Sequence, residues 1–455
     1  MEIPKDIGDL TNLTTLALSD NRLTGGITSS IQKLHKLEIL RLENNFLSGG
    51  IPTWLFDIKS LKDLFLGGNN LTWNNIVNLE PKCMLDQLSL SSCRLSGRIP
   101  DWILTQKDIV FLDLSKNKLQ GQFPEWLAEM DIGSIFLSDN NLTGSLPPRL
   151  FRSESLSVLA LSRNSFSGEL PSNIGDAIKV MILVFSGNNF SGQIPKSISK
   201  IYRLILLDLS GNRFSGNIPD FRPNENCLCL YVKCPHFKSW TYVTTPSKVQ
   251  SPAPINNLTN PQNSRCLKQQ SQWRNTGQVG ESDLSKNQFS GQLPATLGHL
   301  KALKLLNISY NHLSGKIPET FGNLESLESL DLSHNRLSGS IPRTLSKLQE
   351  LTTLDVSNNK LEGKIPVGGQ MDTMNDPDSY ANNSKLCGFQ IQLPCPPEPT
   401  QVKLPEADDS WFSWQGAGIG YSVGFFATIT IILVSGCICR LPPQNHHRSH
   451  RRRRV

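Results

Sequence analysis

Three constellations in the 455-residue sequence have residue types and spacings that could do chemistry. The first is Cys227-x-Cys229-x4-Cys234-x-His236, with Cys266 further on. In a reducing compartment this set would read as a zinc site, but the spacing fits no common zinc module. In an oxidising compartment the same four cysteines read as disulfides stapling a loop that lacks its own core, with the pairing left open. The second is the run from Gly416 to Gly420, GAGIG. It has the glycine density of a nucleotide loop but neither the spacing nor a preceding strand. Gly416, Gly420 and Gly424 instead stand four residues apart in an apolar stretch. That spacing makes one helix face on which a partner helix can approach closely; simple enrichment of glycine in membrane helices is the bland alternative. The third is the terminal RSHRRRRV.

Charge bookkeeping decides what the arginines mean. The chain has 45 Lys+Arg against 39 Asp+Glu, and residues 440–455 hold six arginines and no acid. Residues 1–439 are therefore formally neutral, whereas a nucleic-acid-binding domain carries its basic face on the folded part. No nucleic acid is expected. Nor does a catalytic set emerge: G-x-S-x-G, H-E-x-x-H and the kinase signatures are all missing, and sixteen residues after Cys439 cannot hold a kinase. His35, His299, His312 and His334 are scattered and read as solvated. Trp54, Trp102 and Trp126 recur after proline (IPTWL, IPDWI, FPEWL) and read as packing on one side of the fold rather than a ligand cage. No cofactor or metal is expected.

The elements that position these residues come from a repeat. LDLSKNKLQGQFPEWL at Leu112–Leu127 matches LDLSHNRLSGSIPRTL at Leu330–Leu345. The shared asparagine recurs at Asn21, Asn45, Asn69, Asn117, Asn140, Asn164, Asn188, Asn212, Asn287, Asn311, Asn335 and Asn359, with Cys93 in the same place. Steps are of 24 residues, one of 23, and a single gap of 75 that equals one repeat plus an insertion of 51. Thirteen such units read as a leucine-rich repeat solenoid. In each unit the L-x-L alternation puts two leucines inward on a short strand. The asparagine amide serves backbone groups where the chain turns off that strand, and Cys93 can replace it as a small, weakly donating thiol. Glycine permits the next turn, and proline stands where a missing amide hydrogen does little harm. Stacked strands about 4.8 Å apart give an arc of roughly 60 Å.

The G-x-I-P form of the repeat, present almost to Pro366, resembles the extracellular repeats of plant leucine-rich-repeat receptor-like proteins. QWRNTGQ, Gln272–Gln278, is similar to part of the island that interrupts the repeats in that family, and SYANNSKLCGFQIQLPC, Ser379–Cys395, to its C-terminal cap. Cys387 and Cys395 are expected to pair and close that cap over the exposed core. At the island's edge GESDLSKN has Ser282 where leucine is expected, which predicts a weakened junction. The chain starts in mid-repeat, since Ile3-Pro4 is in register with Ile51-Pro52. This reads as a truncated receptor or incomplete gene model, with a naturally short form as the alternative.

Thirty residues from Ser410 to Cys439 carry no charge, enough for one membrane-spanning helix. Glu398, Glu406, Asp408 and Asp409 precede it, Trp411 and Trp414 suit the outer interface, and the arginines follow. The positive-inside rule then puts the tail in the cytosol and the repeats outside, and the tail arginines near anionic lipid. Cys437 and Cys439 read as small apolar residues or as acylation sites. Seven sequons, at Asn12, Asn70, Asn141, Asn189, Asn257, Asn307 and Asn382, would then be glycan acceptors.

The expected fold class is α/β: a leucine-rich repeat solenoid with a curved parallel β-sheet on the concave face, a 3-10 or irregular convex side, and one C-terminal transmembrane helix. Its expected order is repeats over 1–221, an island over 222–280, four repeats over 281–366, a cysteine cap over 367–397, an acidic spacer over 398–410, the membrane helix over 411–439 and a basic tail over 440–455. The resemblance implies a plasma-membrane receptor that binds an extracellular peptide or protein ligand. It implies an adaptor receptor kinase paired through the membrane helix and a co-receptor kinase near the C-terminal repeats, in defence or development. The alternatives are a repeat-based binding module that inhibits a microbial wall-degrading enzyme, and a non-functional truncated receptor. Outward strand positions can vary without cost to the core, so Arg41, Phe65, Asp113, Phe136 and Val184 are the candidate ligand contacts, with Phe65 and Phe136 expected to be exposed. Asp208, Asp331 and Asp355 read as scaffold residues.

Overall fold

The computed structural model describes residues 1–73, 79–220 and 282–396. Cys227, Cys229, Cys234, Cys266, Asn257, Gly416, Gly420 and Gly424 lie outside the described residues. So does the expected span over 411–439; no helix among the described residues is long and apolar enough to cross a membrane. The described coils and the cap belong to one compact unit, Met1–Cys395.

The L-x-L segments form a parallel sheet of 13 strands among the described residues, one per repeat, in sequence order. We number the coils by these strands: coil 1 holds Thr15–Ala17, coil 9 Leu206–Asp208, coil 10 Ser282–Asp283 and coil 13 Thr353–Asp355. Register advances by one repeat per strand, as in Leu40 opposite Leu64 and Leu330 opposite Leu354. The inward leucines of these strands are fully buried or nearly so. Each such side chain contributes about 1.5–3 kcal/mol only because a neighbouring coil covers it. After the glycine most of the described units enter a five-residue 3-10 turn, such as Glu319–Asn323 or Arg343–Lys347, while Glu125–Glu129 is α-helical and Ile174–Asp176 is only three residues long. Pro318 and Pro342 precede these turns, where a missing N–H costs nothing.

A second row of strands was not legible in the repeat pattern. The x-L-x-G segments pair in parallel along one flank, as in His312–Gly315 with Arg336–Gly339. Two backbone features set up this row. A glycine at or next to the end of most of these segments lies in the left-handed region, with φ +79° at Gly315. So does the residue before the ladder asparagine, with φ 53° at His334 and 55° at Asn358.

The repeating asparagine joins each coil to the one before it. Asn335 Nδ2 donates to Leu332 O and Ser333 O of its own turn, at 3.2 and 3.1 Å, and to Ile308 O of the preceding coil at 3.0 Å. Its Oδ1 accepts from Leu313 N, also of the preceding coil, at 3.0 Å. Cys93 replaces these with weaker bonds: its Sγ donates to Leu66 O at 3.6 Å, and the backbone of Asn69 and Leu71 hydrogen-bonds to it. Burial pushes its thiol up to about 11.

The ladder also crosses the insertion. Asn287 donates to Leu209 O at 3.0 Å and accepts from Phe214 N at 3.0 Å, although the partners are 78 and 73 residues away in the chain. The rings of Phe166, Phe190, Phe214 and Phe289 stack at 6.0–6.3 Å across the same junction. The edge expected to be weak is short: Ser282–Asp283 is two residues, and it meets coil 9 only at Asp208 opposite Asp283. The stack nevertheless continues, because Leu284 is buried and the ladder and ring rows run on.

The array ends in a fourteenth ladder position that the repeat count missed. Asn383, 24 residues after Asn359, donates to Val356 O and Tyr380 O at 3.0 Å each and accepts from Leu361 N at 2.9 Å. In that coil the concave strand is replaced by the turn Pro377–Tyr380, which buries the Tyr380 ring. The strand Lys385–Cys387 pairs with Lys360–Lys364, and a Cys387–Cys395 disulfide closes the end.

Asn335→Ala should lower the unfolding free energy by about 2–4 kcal/mol, since it strands buried backbone groups in two coils. Cys93→Asn should raise it by about 1 kcal/mol by completing the ladder. Urea midpoints at constant slope measure both; opposite signs at the two positions are the expected result.

Candidate ligand-binding face

Each concave strand flanks its inward leucine with two outward residues, and exact parallel register turns these into straight columns. One column runs Ile39, Asp63, Gln87, Phe111, Ser134, and continues through Val158, Ile182 and Leu206. The other runs Arg41, Phe65, Ser89, Asp113, Phe136, and continues through Ala160, Val184 and Asp208. All five candidate residues stand in the second column. Arg41 and Val184 are six strand steps apart, about 29 Å. The candidates thus share one line rather than one pocket.

Two expectations about exposure need correction, those for Phe65 and Phe136, and Val184 is covered as well. Phe65 is buried, at 2% exposure, because the Arg41 guanidinium lies 4.5 Å over its ring and Phe111 stands 6.3 Å away. Val184 is buried against Ala160 and Leu206, with Phe136 and Ile182 packed on the same cluster. Phe136 is half-buried, 5.3 Å from Phe111. Neighbouring strands stand close enough for outward side chains to cover one another, which a single-repeat reading does not register. Phe111, Val158, Ala160, Ile182 and Leu206 were missed for that reason. Writing the sequence in 24-residue lines and reading down the columns would have found them.

Asp113 interrupts this apolar strip. Its Oδ1 accepts from Ser115 N at 3.0 Å and Ser115 Oγ at 2.6 Å, and its Oδ2 from Ser89 Oγ at 3.4 Å. Burial pushes the carboxyl above the ordinary range, against the opposing effect of the serine hydrogen bonds. From coil 9 onward the second column changes to Asp208, Asp283, Asn307, Asp331 and Asp355. Each accepts from the amide two residues later: Ser210 at 3.1 Å, Ser285 at 2.8 Å, Ser309 and Ser333 at 3.0 Å, Ser357 at 2.9 Å. This gives the aspartates a scaffold role. Burial raises the Asp283 carboxyl, and the charges of Asp208 and Asp331 add to that.

Beside the acidic column, Tyr310 stacks on His334 at 3.9 Å, and His334 Nε2 lies 3.2 Å from Asn358 Nδ2. Asn382 Nδ2 donates to Asn358 Oδ1 at 2.7 Å. His334 is therefore half-buried rather than solvated, while His35, His299 and His312 are exposed. Among the sequons, Asn12, Asn70, Asn141, Asn189 and Asn382 are exposed, and Asn307 is half-buried on the concave strand of coil 11. Trp102 is buried edge-on against Phe56 at 4.9 Å, and Trp54 and Trp126 pack partly on the same core. Among the described residues no group of three or more acidic, histidine or cysteine side chains is placed to hold a metal ion.

Family models described as leucine rich repeat match residues 11–71 and 317–361, and, as single repeats, 84–105, 108–130, 155–177, 179–201, 203–223 and 302–324. Together they cover about half of the chain. The chain belongs to the leucine-rich repeat family. Over 159 residues it is 63% identical to Receptor-like protein 46 of Arabidopsis thaliana, a match covering 33% of this chain and 19% of that relative. The leucine-rich repeat ectodomain of the Arabidopsis thaliana membrane receptor kinase GASSHO1/SCHENGEN3, solved with CASPARIAN STRIP INTEGRITY FACTOR 2, superposes with a TM-score of 0.66 at 29% identity. That likeness covers 87% of this chain and 44% of that one. The Arabidopsis receptor kinase HAESA, solved with the peptide hormone IDA and the co-receptor SERK1, gives 0.52 at 28% identity, over 85% of this chain and 68% of that one. The leucine-rich repeat chain thus spans under half the length of the first of these ectodomains and matches a fifth of the curated relative.

Asp113 gives the face a pH signature. Its folded carboxyl titrates above the unfolded one, so its contribution to stability is full below the unfolded value and is lost as pH rises through the folded value. Asp113→Asn keeps an acceptor for Ser115 and removes the charge. It should melt higher than the parent at pH 7.5, and the difference should shrink as pH falls through the folded value and be gone below about 4. Thermal scans across that range decide it; a difference constant with pH would show that Asp113 ionises freely.

Proposed function

We propose that this leucine-rich repeat chain is a membrane-anchored receptor whose coils bind an extracellular ligand and which signals through a partner kinase. The observation that carries this reading is the concave face. It is one uninterrupted parallel sheet with two outward columns, on a chain similar to plant receptor ectodomains solved with their ligands. Arg41, Phe65, Asp113, Phe136 and Val184 lie on that face and remain the proposed ligand contacts, joined by the apolar neighbours described above. Phe65 and Val184 would contribute through their surface edges, Arg41 and Phe136 more fully.

The remaining parts follow from the sequence. The uncharged stretch over 411–439 is proposed as the single span, with acids outside and arginines inside. In that topology the sequon asparagines face the glycosylating compartment, and the cysteines of 222–280 form disulfides. The face of Gly416, Gly420 and Gly424 would pair with the helix of an adaptor receptor kinase. A co-receptor kinase is proposed near the C-terminal coils, as the HAESA complex includes SERK1. Defence and development are both compatible with this scheme.

Purification of the full chain from plant membranes should recover a receptor kinase, and Gly420→Leu should abolish that recovery while leaving the amount of chain in the membrane unchanged. A complex indifferent to Gly420→Leu would remove the helix-pairing part of the proposal, and a chain recovered from the soluble fraction would remove the anchor.

A further inference from the structure

Two positions on each coil, ten and seven residues before the ladder asparagine, lie on the flank where the chain passes from the convex turn to the concave strand. In most coils they are polar, and several pair from coil to coil: Lys62 with Glu38 at 3.2 Å, Lys301 with Glu325 at 2.6 Å and Lys304 with Glu328 at 2.5 Å. In coils 8 and 9 the same positions hold Ile178, Met181, Tyr202 and Ile205. Ile178, Tyr202 and Ile205 are 47%, 40% and 60% exposed, and Met181 is half-buried. Register keeps them side by side. The Met181 carbonyl accepts from Ile205 N at 2.8 Å, and Ile178 N and Tyr202 N make the same turn, each donating to the carbonyl two residues back at 2.9 Å. Single exposed apolar residues are ordinary. Four at adjoining positions, where other coils place ion pairs, make a patch that calls for a partner.

The patch stands at the edge of the insertion. Sixty-one residues lie between Asp220 and Ser282, where a regular coil uses ten. Thr296 Oγ1 of coil 10 donates to Asp220 Oδ1 at 3.1 Å, and Ser282 opens the coil-10 strand, so both ends of the insertion are anchored beside coil 9. By the register of Asp208 with Asp283, the coil-10 positions matching Tyr202 and Ile205 are Gly277 and Gly280, which have no side chain to shield the patch. The insertion itself is apolar in one run: 228–243 holds Leu228, Leu230, Tyr231, Phe237, Trp240 and Tyr242. A segment of this size buries too little of its own surface to stand alone, and a neighbouring surface is the remedy besides disulfides.

We propose that Ile178, Met181, Tyr202 and Ile205 are the docking surface for the apolar run 228–243 of the same chain. The insertion is then held on the flank of coils 8 and 9, beside the concave columns and not over them, and the outward face of those coils stays open to a ligand. This goes beyond the proposed function and does not depend on which ligand the concave face takes.

Hydrogen exchange read by mass spectrometry tests it, on the full chain in phosphatidylcholine nanodiscs. The quadruple variant Ile178→Lys, Met181→Lys, Tyr202→Glu, Ile205→Glu gives coils 8 and 9 the pairs that coils 11 and 12 carry at the same positions, so the repeat tolerates it. Amides of 228–243 should exchange about tenfold faster in the variant than in the parent, with the concave strands unchanged. If the quadruple variant fails to fold or loosens those strands, the single Ile205→Lys replaces it and should shift 228–243 in the same direction by a smaller factor. Exchange of 228–243 that is alike in parent and variant, slow in both or fast in both, would overturn the proposal. A second copy of the chain as the occupant would give that same result, together with paired discs in mass photometry of the parent that separate in the variant.

Discussion

The asparagine at the end of each concave strand is the interaction on which the rest of the molecule depends. One amide group serves backbone atoms of two consecutive coils, so it fixes both the turn within a coil and the distance to the next. Asn335 does this with Leu332, Ser333, Ile308 and Leu313. Buried backbone groups that lose such partners cost more than an ordinary hydrogen bond is worth. The leucines supply most of the burial energy, but burial is non-directional and would tolerate a sliding stack. The amide does not tolerate one. Exact register of the outward columns, and thus any defined ligand face, is inherited from it.

The junction between coils 9 and 10 tests this view, because Asp208 and Asp283 are adjacent in the sheet although 75 residues apart in the chain. Coil 10 re-enters with a two-residue strand and with Ser282 at a position where leucine is the rule. It is held by the Asn287 amide, the ring row through Phe214 and Phe289, and the buried Leu284. A solenoid's stability is a sum over neighbouring contacts, so one thin strand pair is tolerated when the other rows continue. The same logic explains the C-terminal coil, where Asn383 and the Tyr380 ring replace a regular strand and cover the core.

Much of the architecture was legible in the sequence because its period is covalent. The spacing of Asn45, Asn69 and Asn117, with Cys93 in step between the last two, is enough to dictate coils, inward leucines and a parallel sheet. The candidate face was legible only as a set of positions. That Arg41, Phe65, Asp113, Phe136 and Val184 point outward follows from alternation. That Phe65 and Val184 are nevertheless covered does not, because their covering groups come from residues one repeat away, such as Arg41 and Leu206. The second strand row escaped for a related reason: its segments are two to five residues long and pair only because the ladder has already aligned the coils.

By itself the sequence determined the repeat, thirteen of its coils, the inward core and the neutral balance of everything before the arginine tail, since these depend on residue identity and spacing alone. Tertiary structure decided what the concave face presents. It put Phe111 between Phe65 and Phe136, seated His334 under Tyr310, and set Asp208 beside Asp283 across an insertion that separates them in the chain. Those are contacts between coils, and only a stack in fixed register brings side chains so far apart in sequence to within a strand spacing of one another.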